Sequence, residues 1–133
     1  MGLFGPPKEF RERTFTAPCT SAEFLHVLKG GSDYEGEYPF GALLEMEPQP
    51  HPPLAETVYL ESLSHNGFVV AAGNRAKIMW RMQLTLQGGN PIQGTFSPLT
   101  TNDSRWFGNV MKMNSALNDT VRSIGGKTKK WPI

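Results

Sequence analysis

The chain has 133 residues, 38% of them hydrophobic and 19% charged, which suits one domain with one modest apolar core and excludes two. Thirteen Lys and Arg against twelve Asp and Glu leave a formal charge of +1, which excludes nucleic-acid or membrane-surface binding by bulk charge. The single cysteine excludes an internal disulfide, and the apolar runs fall short of the roughly 20 residues that span a bilayer.

The segment Met1–Lys8 lacks the basic start and long apolar centre of a signal peptide, so a cytoplasmic protein is expected, with residues 1–8 a flexible end of a single 1–133 domain. A first strand is predicted from Glu9 to Thr16 and is stopped by Pro18. Thr20-Ser21-Ala22-Glu23 has the spacing of a capping box, and Phe24, Leu25 and Leu28 form the apolar stripe of a short helix ended by Gly30-Gly31. Ser32 to Glu37 reads as a polar connection.

From Tyr38 to Met46, the shared parity of Phe40, Ala42, Leu44 and Met46 predicts a second strand. Pro48-Gln49-Pro50-His51-Pro52-Pro53 lacks a regular set of amide donors and predicts an extended loop. Strands over Thr57–Leu63 and Phe68–Ala72 are joined through a hairpin at Asn66-Gly67. Between Ala76 and Gln87, Ile78, Trp80, Met82, Leu84 and Leu86 alternate with mostly polar residues, so one face of this strand is core. After the Gly88–Pro91 turn, Ile92, Gly94 and Phe96 mark a further strand of an antiparallel meander.

Polar caps at Thr100–Ser104 open a long helix reaching Ile124. Trp106, Phe107, Val110, Met113, Leu117, Val121 and Ile124 recur along it at three- and four-residue spacing, and Gly125-Gly126 stops it. The tail 127–133 has no periodicity and reads as a second flexible end. Although Gly125-Gly126-Lys127-Thr128 has the ending of a phosphate-binding loop, Val121 stands where that motif needs glycine, so the run reads as a helix cap.

The predicted architecture is α+β: a curved antiparallel sheet of about six strands, a short N-terminal helix, and a long C-terminal helix packed across the sheet. Three features carry a resemblance to the START-like or Bet v 1-like helix-grip superfamily, which includes the polyketide cyclase-like domains. They are Arg13-Thr14-Phe15-Thr16-Ala17-Pro18 running from strand into helix, the ladder from Thr57 to Phe96, and the closing helix from Ser104 to Ile124. The chain departs from that pattern in showing one clear helix and five strands after the first strand. The resemblance implies binding of a hydrophobic or amphipathic, lipid-like small molecule between sheet and long helix, with no cofactor.

The inward positions nominated for that role are Phe40, Leu44, Met46, Trp80, Met82, Leu84 and Phe96 from the sheet, and Trp106, Val110, Met113 and Leu117 from the helix. Arg81 or Gln83 would fix a ligand's polar end only if a bulge turned it inward. The same side chains also suit a filled core, which makes a protein-interaction module, including a homodimer through strand edges or the helix surface, the alternative. His26, His51 and His65 lie far apart, so no metal site is expected. For an enzyme of the same fold, the candidates are His26, Cys19 beside a helix start, and a carboxylate pair among Glu45, Glu47, Glu56 and Glu61.

Overall fold

Pro18 and Thr20 set the first boundary of the fold. β1 (Arg13–Ala17) stops at Pro18, which has no N–H to continue a ladder, and Thr20 caps α1 (Ser21–Leu28). The Thr20 hydroxyl accepts from the Glu23 N–H at 3.2 Å, while the Glu23 carboxylate accepts from the Thr20 N–H at 2.8 Å, completing the capping box. The computed structural model describes residues 12–31, 34–36, 38–100 and 107–129. Residues 1–8, the predicted strand start over 9–11 and the helix caps at 101–104 lie outside them.

The strand predicted over Tyr38–Met46 is absent; the segment turns and forms a 3-10 helix at Leu43–Glu45. Phe40, Leu43 and Leu44 are buried. Their three- and four-residue separations are those of a helical turn, which places all three on one side. The Lys29 ammonium lies 3.5 Å from Glu45 and ties the end of α1 to this turn.

The loop that follows is irregular, as its prolines dictate. Each of residues 47–53 is a proline, whose ring fixes φ and removes the N–H, or precedes one and is biased toward extended conformations. Three bonds hold this strap, one of them from Arg75 Nε to the Pro52 carbonyl at 3.4 Å. The Gln49 N–H donates to the Leu60 carbonyl at 2.8 Å, and the Arg75 N–H donates to the Pro53 carbonyl at 2.9 Å.

The sheet has six antiparallel strands in the order β2-β3-β4-β5-β1-β6. β2 (Thr57–Ser64), β3 (Gly67–Gly73), β4 (Ile78–Gln87) and β5 (Ile92–Thr100) form the predicted meander. β1 pairs with β5, Phe15 opposite Gly94, and with β6 (Lys127–Lys129) on its other side. Lys127–Lys129, expected to lack regular structure, is therefore the sixth strand, in place of the one expected at Tyr38.

Apolar alternation gives the sheet one inner face. Trp80 lies opposite Ala72, Met82 opposite Val70, and Leu84 between Phe68 and Phe96. Gly94 is required there: a methyl group at its Cα would stand 2.1 Å from the Phe15 ring. Phe15 also stacks on Phe24 of α1 at 5.1 Å, and Phe40 meets Phe68 at 5.3 Å.

α2 (Phe107–Ser123) packs on β1, β6 and α1. Its end has the expected cap. The Gly125 N–H donates to the Arg122 carbonyl, the Gly126 N–H donates to the Val121 carbonyl, and Gly125 sits at φ +86°. Among the described residues, no helix is long and apolar enough to cross a membrane.

Candidate functional site

The interior between sheet and α2 is built from the alternation of β4 and β5 and the stripe of α2. Phe40, Leu44, Trp80, Met82, Leu84, Phe96, Val110, Met113 and Leu117 all belong to one continuous buried cluster. Phe40, Met82 and Phe96 are 0% exposed, and Trp80, Leu84, Val110 and Leu117 are 1% exposed. A wall of a cavity wide enough for water would keep accessible surface, so these side chains close on one another.

Met46 does not join them. It follows the 3-10 turn and is 38% exposed, because the turn brings Leu43 and Leu44 inward and leaves Met46 outside. Trp106 lies outside the described residues. The sequence-based set omits Leu60, Phe68 and Val70, which are buried on the same face. The period-two patterns of Phe68, Val70 and Ala72 on one strand and of Val58 and Leu60 on its neighbour carry the signal that would have found them.

Among the described residues, Asn114 and Thr120 are the buried polar side chains of this interior, both on α2. The Thr120 hydroxyl donates to the Ala116 carbonyl at 2.8 Å, the usual way a helix accommodates a buried threonine. Arg81 and Gln83 face the other side of the sheet. There Arg81 lies 2.8 Å from the Glu61 carboxylate in a half-exposed ion pair, opposite Ala71 and beside the row that carries Tyr59. Although a bulge interrupts β4 between Ile78 and Trp80, it precedes Arg81 and does not turn it inward. Burial raises the Tyr59 phenol above its usual value, the Glu61 carboxylate adds to this, and the Arg81 guanidinium opposes it.

The candidate acid-base and nucleophilic groups are dispersed. His26, His51 and His65 are exposed on α1, the proline strap and the β2–β3 turn. Cys19 is buried, and burial raises its thiol above the usual value, with the Glu23 carboxylate adding to the effect. Glu45, Glu47 and Glu56 are exposed, and Glu61 is engaged by Arg81. No group of three or more His, Cys, Asp or Glu among the described residues is placed to hold a metal ion. The interior thus offers shape and apolar contact. Comparisons with family models, with curated proteins and with solved structures return no match.

Proposed function

We propose that this chain is a helix-grip-like domain that works as a protein-interaction module, its filled interior holding a binding surface in shape. The observation that carries the reading is the closure of the interior: Phe40, Trp80, Met82 and Phe96 from three different segments are at most 1% exposed. A guest the size of a lipid would have to displace these side chains at the cost of their packing. The surface carries large apolar groups instead, among them Tyr38, Leu54 and Leu63, exposed by 52%, 75% and 41%.

A second reading, binding of an apolar or amphipathic small molecule between sheet and α2, draws support from topology. α2 packs against β1 and β6, and its stripe joins the inner face of the sheet in one buried cluster, in keeping with the long helix on a sheet that the helix-grip resemblance implies. Met82 and Met113 supply adaptable side chains on both layers.

Native mass spectrometry of mildly purified protein, compared with the same sample denatured, separates the two. The interaction reading expects no stoichiometric apolar adduct and no saturable change in tryptophan emission when a long-chain amphiphile is titrated. An adduct released on denaturation would overturn it in favour of the small-molecule reading.

A further inference from the structure

The two ends of the sheet are finished differently. β6 is three residues long and carries Lys127 and Lys129, a short charged edge that discourages pairing. β2 is eight residues long, and the proline strap covers only part of it, where Gln49 occupies the Leu60 carbonyl. Beyond the irregularity between Leu60 and Ser62, the residues Ser62, Leu63 and Ser64 are exposed, Leu63 by 41%. This stretch contains no proline and no charge.

We propose that the open end of β2 pairs antiparallel with the same stretch of a second copy of this chain, joining two sheets across a two-fold axis at Leu63. The inference rests on the interaction reading and names its partner. The geometry is self-complementary. The two-residue turn at His65-Asn66 closes on the Ser64–Gly67 pair, so Leu63, one residue back, directs its N–H and carbonyl away from β3. Centred there, the two Leu63 residues exchange backbone hydrogen bonds and set their side chains together, and Ser62 of each copy faces Ser64 of the other. The ladder thus spans Ser62 to Ser64 of each copy; Glu61, at the irregularity with its carboxylate held by Arg81, lies outside it. At the next position the strap holds the Leu60 carbonyl and ends the ladder, which excludes registers that slide further along β2. So short a ladder belongs among small interfaces of transient complexes, below about 1,200 Å².

Sedimentation velocity and backbone amide exchange on the full chain, from micromolar to millimolar concentration, test the proposal. The expected result is a concentration-dependent dimer, with protection of the Leu63 amide rising in step and the β4 amides unchanged. Leu63→Lys should weaken association at least tenfold. Leu63→Pro, which deletes an N–H that β3 does not use, should do the same, with circular dichroism reporting that both variants are folded. A wild-type monomer throughout the range, or a dimer that forms equally in both folded variants, overturns it. The adduct measurement decides the interaction reading separately, so failure of the dimer and failure of that reading are distinguishable.

Discussion

Cys19 illustrates how burial decides chemistry at the level of one residue. It stands one position before the Thr20 cap, where a helix start would favour a thiolate, yet it is 5% exposed and close to the Glu23 carboxylate. Both effects hold the proton on sulfur. Because folding raises the affinity of Cys19 for its proton, its contribution to stability is complete below the ordinary thiol value and is lost as pH rises past it. Denaturant midpoints should therefore fall more between neutral and strongly alkaline pH in wild type than in Cys19→Ala. Alkylation of Cys19 should likewise become fast only once the chain unfolds. Gly94 shows the converse dependence on a neighbour: the Phe15 ring occupies the volume a side chain would need.

At the scale of elements, α1 is short, eight residues, and depends on its caps and docking. Thr20→Ala removes the hydroxyl acceptor for the Glu23 N–H and should cost about 1 kcal/mol, measurable as a lower denaturation midpoint at unchanged slope. This cap was legible in the sequence because it is a contact between near neighbours. So were the β4 alternation and the α2 stripe, whose periods run long enough to distinguish strand from helix. The same two signals identified six of the interior residues that the structure gathers in one cluster: Trp80, Met82, Leu84, Val110, Met113 and Leu117.

The segment around Phe40 was misleading because alternate positions from Phe40 to Met46 and the turn spacing of Phe40, Leu43 and Leu44 coexist in one short run. Pro39 and Gly41 sit within it, and packing of the turn on β2 selected the second pattern. The same choice put Met46 at the surface. β6 was illegible for another reason. Three residues without apolar alternation carry no strand signal of their own, and the pairing is set by β1, whose remaining edge lies where the α2 cap releases the chain. Gly126 permits that approach, since a methyl group there would stand 2.4 Å from the Thr16 carbonyl oxygen.

For the whole molecule, one cluster links the buried residues of β1, α1, the Phe40 turn, the meander and α2. Nothing in that cluster divides into separately stable halves, so loss of one element removes support from the rest. Equilibrium unfolding should appear as a single transition, with tryptophan fluorescence and far-ultraviolet circular dichroism coinciding. Two resolved transitions would show that the meander and the helices unfold independently. The near-balance of charge, +1 in 133 residues, offers little electrostatic repulsion between copies at neutral pH, which is the setting in which a short neutral strand edge can act.

β1 is bordered by β5 on one side and β6 on the other, and both partners lie far along the chain. A ribosome delivers β1 and α1 early, then must synthesise the whole meander before Phe15 meets Gly94, and all of α2 before Thr16 meets Lys127. The oldest strand thus waits for the youngest. Throughout that interval Phe15 and Phe24 have no sheet to cover them, which makes the nascent N-terminal segment the natural client of whatever shields apolar chain at the exit tunnel.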